Sequence, residues 1–381
     1  MWFLQTDTLL ILLGLSLGLG ILSRLLGERY RKLLAFLPAA DLAFLWYIDP
    51  KLMVFYAGYT AVTWLLAVLL RQIKVWRGGF FALCCIACLV PLAYMREAQV
   101  LSLPTMGLVC IGLAYNVLKA IDLMYYEYCT GERANFWTYV NYMLFLPVLT
   151  AGPVFRYRDF QKTWEKPQQL DLERLAEGCR RIICGLFYKV VLSSFTAGIL
   201  EELIRHTPGF LPSLVIPPVS VATLFFDMAG YASIAIGLGG LMGITVPENF
   251  KHPFQSPSFT QFWRNWHITV SDWIREHVFV LLHSRRLNKW QSAGISLAVM
   301  ILMGLWHGFS WLFFVDGIFL GLLLAVENLF GLTTVNKRKS PKWYFFLRCA
   351  IVFYLFAMNS MIFTLSVPEI GRVIKGFLFM G

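Results

Sequence analysis

The chain has 381 residues, of which 58% are hydrophobic, and a formal net charge of +11 at pH 7. Apolar runs long enough to cross a hydrocarbon core about 30 Å thick recur along it, which excludes two or three ordinary soluble domains. The basic residues lie in short loops between these runs, as the positive-inside rule describes for membrane proteins, so the charge does not indicate nucleic-acid binding.

The predicted elements are apolar helices. The first run, residues 9–26, follows a segment that has Asp7 instead of basic residues, and it has no small-residue cleavage site. We therefore expect a retained first span and not a removed signal peptide. Candidate spans lie at residues 8–26, 33–48, 52–70, 79–95, 103–126, 138–152, 179–203, 217–243, 293–306, 309–329 and 344–365. This pattern predicts an all-α polytopic membrane protein.

The run at residues 138–152 is too short for an ordinary span, at about 15 residues, and it ends in TAGP. If it crossed the membrane, the basic segment 156–181 would lie outside, against the positive-inside rule. We therefore predict a re-entrant hairpin, a geometry that the bilayer tolerates only where protein or a cavity covers the backbone. With this assumption the polar stretch 247–292 and the loop NKRKSPK at 336–342 both lie on the cytoplasmic side.

The densest aromatic and charged segment is QFWRNWHITVSDWIREHVF, residues 261–279. As one helix, it places aromatic residues such as Trp266 on one face and Arg264, His267 and Arg275 on another. An interfacial amphipathic helix is the simpler interpretation. It does not explain His267, because histidine is a poor membrane anchor.

A second histidine, His307, lies in ILMGLWHGFS between two glycines, inside an apolar run. The preceding span, residues 293–306, is only about 14 residues or roughly 21 Å long. We therefore expect the hairpin tip to lie within the bundle, with Gly304 and Gly308 allowing close packing or a turn. An ionisable group at that depth is either functional or a hydrogen-bonded core residue, and both interpretations stay open here.

Other polar residues lie within the predicted spans. Lys119 and Asp122 are three residues apart and are expected to pair on one helical face. Asp227 begins the glycine-rich DMAGYASIAIGLGGLMG, where a packing helix with one hydrogen-bonded carboxylate is the alternative to a functional site.

The eight cysteines have neither disulfide-framework nor zinc-ligand spacing, so no metal site is expected. A Walker loop, GxSxG and HExxH are all missing from the sequence, which leaves a histidine-based transfer enzyme or a transporter.

Four motifs follow one another in a fixed order: TAGPVFRYRDFQ, FFDMAGYASIAIGLGGLMGITVPENFKHPF, FWRNWHITVSDWIRE and MGLWHG. Together they resemble the membrane-bound O-acyltransferase superfamily, in its bacterial branch that acylates extracellular polymers, over a core of about residues 105–330. The resemblance implies one membrane-embedded acyltransferase domain, residues 1–381. Its fold would be a ring of about 11 transmembrane or re-entrant helices around a thinned centre, with a funnel opening from each face.

The resemblance also implies site residues. His307, in the WHG motif, would be the catalytic base for an acceptor hydroxyl, and His267 a second catalytic histidine that binds or polarises the donor thioester. The expected substrate-binding residues are Asn265, Trp266, Trp306, Arg264, Arg275 and Asp227. A basic surface around Arg156, Arg158, Arg264 and Arg275 is expected to dock an acidic donor.

Two branches of the superfamily compete. AGPVFRYRDF, and the absence of a Gly-Gly-Asn-Arg turn in HVFVLLHSRRLNKW, favour the branch of teichoic-acid D-alanyltransferases. That branch implies a phosphopantetheine thioester on an acidic acyl-carrier protein inside, a polymer hydroxyl acceptor outside, and no bound cofactor. WRNWHITVSDW departs from the usual methionine-serine-leucine-serine-phenylalanine continuation, so O-acetylation of an exported alginate-like polysaccharide, from acetyl-CoA or another acetyl donor, is the alternative. Either branch implies a multi-pass protein of the bacterial cytoplasmic membrane, in contact with its lipids.

Overall fold

The fold is helical throughout the described chain. This computed structural model describes residues 5–100, 112–279 and 288–379. Within these ranges the one extended pairing is an isolated antiparallel bridge between Phe250 and Trp266. The all-α class predicted from the sequence is confirmed. Two predicted parts of the chain lie outside the described ranges. They are residues 280–287, which belong to the stretch HVFVLLHSRRLNKW, and residues 105–111 of the expected core.

Seven helical stretches in the described residues are long and apolar enough to cross a membrane. They are Thr6–Leu34, Pro50–Gln72, Arg77–Arg96, Leu172–Arg205, Phe210–Leu241, Trp311–Phe330 and Lys342–Phe363. Each is at least 20 residues long and contains an 18-residue window of high mean hydropathy with at most two charged residues. The polytopic membrane class is therefore confirmed, whereas the total of about 11 transmembrane or re-entrant helices stays a prediction.

The chain divides into two compact units, Met1–Ile183 with Ala232–Pro247 and Cys184–Tyr231 with Glu248–Gly381. The first unit contains the helices α1 (Thr6–Leu26), α2 (Tyr30–Leu34), α3 (Leu37–Ile48), α4 (Pro50–Gln72), α5 (Arg77–Val100), α6 (Leu113–Thr130), α7 (Phe136–Leu144), α8 (Tyr157–Glu165) and most of α9 (Leu172–Leu186). The second contains α10 (Ser193–Arg205), most of α11 (Phe210–Leu241), α12 (Phe259–Trp263), α13 (Ile268–Ile274), α14 (Lys289–His307), α15 (Trp311–Phe330), α16 (Lys342–Ser360) and α17 (Val367–Phe377).

The predicted re-entrant segment of the first unit is a short buried helix. α7 has 9 residues, or about 13 Å of helix, and ends at Leu144 before a 3-10 turn that contains Pro147. This length is far below the hydrocarbon thickness, so α7 alone does not span the membrane, as the sequence predicts. Its re-entrant path stays a prediction.

The expected Lys119–Asp122 pair is wrong. The Lys119 ammonium donates to the Met143 carbonyl at 3.1 Å and lies 5.0 Å from the ring centroid of Tyr142. The Asp122 carboxylate accepts from the backbone N–H of Tyr157 at 2.6 Å. Spacing of three residues allows a pair, but here both groups satisfy backbone atoms of other segments, which removes the cost of burying them unbonded.

Glycines hold α14 and α15 of the second unit together as a tight hairpin. A Cβ atom on Gly304 would overlap the Phe313 carbonyl oxygen, and one on Gly317 would lie 2.5 Å from the Met300 carbonyl oxygen. Small residues at a helix interface let two backbones approach and gain van der Waals contact, which drives helix association in lipid. Close packing at Gly304 is therefore confirmed.

The length predicted for the first hairpin helix is wrong. α14 begins at Lys289 and has 19 residues, or roughly 28 Å, because Asn288 and Gln291 form a reciprocal capping box. The first turn of α14 is polar and does not extend the apolar run, so the span predicted from hydrophobicity begins four residues after the helix does. The depth of the hairpin tip therefore cannot be derived from a short helix.

Candidate active site

The aromatic and basic segment is two short helices, so the prediction of one continuous amphipathic helix is wrong. α12 ends at Trp263 and α13 begins at Ile268, with His267 between them at φ 46°. This left-handed conformation is unfavourable for a residue with a Cβ atom and breaks a helix. The bridge between Phe250 and Trp266 holds the chain in the broken form. The break turns His267 out of any helical face and into the interior.

Asn249 fixes the proton position on His267. The Asn249 side-chain oxygen accepts from the backbone N–H of Thr269 at 3.3 Å and from its hydroxyl at 2.9 Å. A backbone N–H only donates, so the atom facing it is the amide oxygen. The His267 Nδ1 lies 3.1 Å from the same oxygen and is therefore the protonated nitrogen. In the neutral ring, Nε2 then carries a lone pair and acts as a hydrogen-bond acceptor.

His267 is neutral at physiological pH. Its side chain is only 4% exposed. Burial, and to a smaller extent the positive charge of a protonated His307, lower the pKa of His267 to about 3. The second effect also shows that the two histidines lie within electrostatic reach of each other. The two histidines that the resemblance names as catalytic therefore interact electrostatically, and their catalytic roles stay predictions.

His307 lies in an aromatic box at the end of α14. Its ring centroid is 4.8 Å from Trp306, 5.1 Å from Phe363 and 6.1 Å from Phe313. A Cβ atom on Gly308 would lie 2.6 Å from the Phe313 ring, so the glycine after the histidine is what admits this ring. His307 itself is half-buried. The box orients the imidazole while leaving one side reachable.

A cavity of about 370 Å³ lies between the histidine segment (residues 259–275) and the α14–α15 hairpin, and neither His267 nor His307 is among its lining residues. Its lining includes Arg264 and Arg275, the two arginines that are expected to bind substrate. It also includes Trp263, whose buried indole N–H has no hydrogen-bond partner among the described residues. The opposite wall is formed by α14 and α15. A buried donor without a hydrogen bond is costly, so the wall that contains Trp263 favours a ligand with acceptor oxygens.

The α14 wall of the cavity leads to His307. Ser296, Met300 and Met303 line the cavity, and His307 continues the same helical face one turn after Met303. From Ser296 to His307 this face is about 16 Å long. A slender molecule lying along it would reach His307.

The other predicted site residues have clear positions but do not converge on the cavity. Trp266 is buried and stacks on Phe262, so it packs the histidine segment. The Asn265 amide nitrogen donates to the Ser256 hydroxyl and the Gln261 carbonyl, which engages both of its hydrogens within the local turn. Asp227 pairs with Lys189, which lies in a π-helical turn, and does not line the cavity. Arg156 and Arg158 both lie in the first unit, close to Asp159.

Sequence reasoning missed Asn249, Phe313 and Phe363. Asn249 stands in PENF, inside the second of the four ordered motifs, and its place in that motif is the signal that could have found it. The two phenylalanines give no such signal, because each is one aromatic residue among many in an apolar stretch.

The chain is similar to several proteins that modify cell-envelope polymers. A probable alginate O-acetylase AlgI of Pseudomonas fluorescens is 30% identical over 100% of this chain and 76% of its own length. A teichoic acid D-alanyltransferase of Streptococcus thermophilus is 29% identical over 67% of this chain and 68% of its own. The chain spans about half the length of other curated relatives, such as 55% of the probable alginate O-acetylase AlgI of Pseudomonas putida, which is 31% identical over 71% of this chain.

A family model supports the same assignment over most of the sequence. The model of the membrane-bound O-acyltransferase family matches residues 34–367. That range contains all four ordered motifs, both histidines and the cavity. The chain therefore belongs to the MBOAT, or membrane-bound O-acyltransferase, family.

Proposed function

We propose that this protein is an acyltransferase that moves an acyl group from a thioester donor to hydroxyl groups of a cell-envelope polymer. The observation that carries the proposal is that a buried neutral histidine, His267, lies within electrostatic reach of a half-buried one, His307, in a member of this family. A neutral imidazole is the form that removes a proton, and histidine titrates in the range suited to that task.

In the proposed reaction His307 is the general base. It takes the proton from the acceptor hydroxyl as the oxygen attacks the thioester carbonyl. The new C–O ester bond forms, the C–S bond breaks, and the protonated His307 returns the proton to the leaving thiolate. The rings of Trp306, Phe313 and Phe363 around it reduce the space open to water, which would limit hydrolysis of the donor.

The geometry modifies the role expected for His267. With its proton on Nδ1 and bound to Asn249, the neutral ring has no Nε2 proton with which to polarise a carbonyl. We therefore assign His267 an orienting role, in which the acceptor Nε2 receives a hydrogen bond from an N–H or O–H group of the reacting molecules. The amide N–H groups of a pantetheine arm are suitable donors.

The cavity is the proposed donor site. Arg264, together with Arg275 in its ion pair with Asp272, would attract a phosphate, and the indole N–H of Trp263 offers a hydrogen bond. The face of α14 that carries Met300 and Met303 leads to His307. This arrangement suits a thioester on a phosphopantetheine arm, carried by an acidic carrier protein or by coenzyme A. The donor would then react with a hydroxyl that arrives from outside.

Two acyl groups remain candidates, each with its own support. D-alanyl transfer to teichoic acid is supported by AGPVFRYRDF and by the D-alanyltransferase relatives. O-acetylation of an exported polysaccharide is supported by a similarity to a probable alginate O-acetylase that extends along the whole chain. Both use the same base and the same thioester chemistry.

The test is transfer of label in membranes that contain the protein. Radiolabelled D-alanyl-carrier thioester and radiolabelled acetyl-CoA are supplied separately, with teichoic acid or alginate as acceptor, and polymer-bound label is counted. His307→Ala is expected to lower transfer by about 1000-fold, because general-base catalysis by one side chain typically contributes about 100- to 10,000-fold. The control is His206→Ala, which removes an exposed histidine near Glu202. Wild-type transfer by the His307→Ala variant would overturn the assignment, and label moved without attachment to polymer would indicate a transporter.

A further inference from the structure

A buried carboxylate near the end of α15 binds the start of α12. Glu327 is 5% exposed, and its two oxygens accept from the backbone N–H of Phe259 at 2.6 Å, the backbone N–H of Thr260 at 2.9 Å and the Thr260 hydroxyl at 2.9 Å. The first N–H groups of a helix have no partner within it. Glu327 supplies that partner from 67 residues away, and its negative charge suits the positive end of the helix.

Further bonds hold the same segment to the chain that follows α15. Gln261 and Val335 exchange two hydrogen bonds, at 3.0 and 3.3 Å, and the Ser258 hydroxyl donates to the Thr333 carbonyl at 2.8 Å. Arg348 donates to the Pro257 carbonyl at 3.0 Å and lies 3.9 Å from Glu327. Glu327 is the only buried anion among these contacts, as far as the described residues show, so it compensates the Arg348 charge as well.

This contact joins the two halves of the active site. The segment that Glu327 holds continues through Trp263 and Arg264 in the cavity wall to His267. α15, the helix that carries Glu327, is the second arm of the hairpin whose tip carries His307. A shift of α12 would therefore move one cavity wall and His267 relative to His307.

We propose that Glu327 is a positioning residue that sets the donor cavity and His267 in register with His307. The inference rests on the acyltransferase function proposed above. Glutamine in its place keeps the shape, but its amide NH₂ would meet a backbone N–H that also needs an acceptor, so α12 would lose one of its two backbone contacts. Aspartate keeps both acceptor oxygens and is one methylene shorter.

The experiment compares Glu327→Gln and Glu327→Asp with a matched control. Glu369→Gln removes another capping carboxylate of the same unit, one that accepts from the Ser366 backbone N–H and hydroxyl at 2.7 Å. For Glu327→Gln we expect the KM for the thioester donor to rise about tenfold, with the KM for the polymer unchanged. Glu327→Asp should recover part of the loss, and the control should match wild type.

Amide hydrogen exchange supplies a readout that does not depend on activity. In Glu327→Gln the amides of residues 259–267 should exchange faster, while those of α14 stay at the wild-type rate. A purely structural role predicts instead a lower melting temperature with normal KM values in the folded fraction, and either that result or unchanged exchange at 259–267 overturns the proposal. If the wild-type protein transfers no acyl group, the proposed function fails, and the exchange pattern still decides whether Glu327 positions the segment.

Discussion

At the scale of single residues, one asparagine decides the chemistry of His267. The Asn249 oxygen accepts from the His267 ring and from the backbone N–H and hydroxyl of Thr269, so Asn249→Ala would remove three buried hydrogen bonds. Each hydrogen bond of this kind contributes about 0.5 to 1.5 kcal/mol. We expect acyl transfer to fall by about 10- to 100-fold while the protein still elutes as a folded species in detergent. Equal rates for Asn249→Ala and wild type would show that His267 needs no orienting partner.

Asn249→Asp gives the same site a pH dependence. A carboxylate beside Nδ1 stabilises protonated His267 and raises its pKa from the value of about 3 that burial produces. Wild type loses neutral His267 only in strong acid, so its rate is insensitive to this group near neutrality. The variant loses neutral His267 as the pH falls through the raised pKa. Its profile of kcat/KM against pH should therefore gain an acidic limb, and a profile that coincides with wild type would contradict the assignment.

At the scale of elements, the sequence pattern predicts some features well and others poorly, for physical reasons. Hydrophobic runs and ordered motifs predict the helical class and the glycine-packed hairpin, because both follow from local composition. The break before His267 depends on a strand-like bridge to Phe250, which lies 16 residues earlier and leaves no local signal. The early start of α14 depends on a cap at Asn288, which a hydropathy pattern does not record.

The hairpin offers a matched pair of glycines on one helix. A Cβ atom on Gly304 would overlap the Phe313 carbonyl oxygen, whereas one on Gly294 meets nothing within 4 Å. Gly304→Ala should therefore separate the two helices, at a cost of about 1 to 3 kcal/mol, and displace His307 from its box. Gly294→Ala should leave stability equal or slightly higher, because alanine favours a helix. Thermal unfolding in detergent, together with the transfer assay, checks both, and equal melting temperatures for the two variants would refute close packing at Gly304.

At the scale of the whole molecule, a net charge of +11 gives the protein a positive field that an anionic donor would sense. Arg264 and Arg275 bring that field to the cavity wall, and both are exposed. Steering by exposed charges weakens as salt shortens the Debye length from about 10 Å at 0.1 M to about 3 Å at 1 M. The value of kcat/KM for the donor should therefore fall as salt rises, and the fall should be shallower in Arg264→Gln/Arg275→Gln. Arg205→Gln removes an exposed arginine that pairs with Glu201, outside the cavity lining, and should keep the wild-type slope. If all three proteins gave the same slope, the two arginines would have no part in donor capture, and the donor site would have to be sought on another surface.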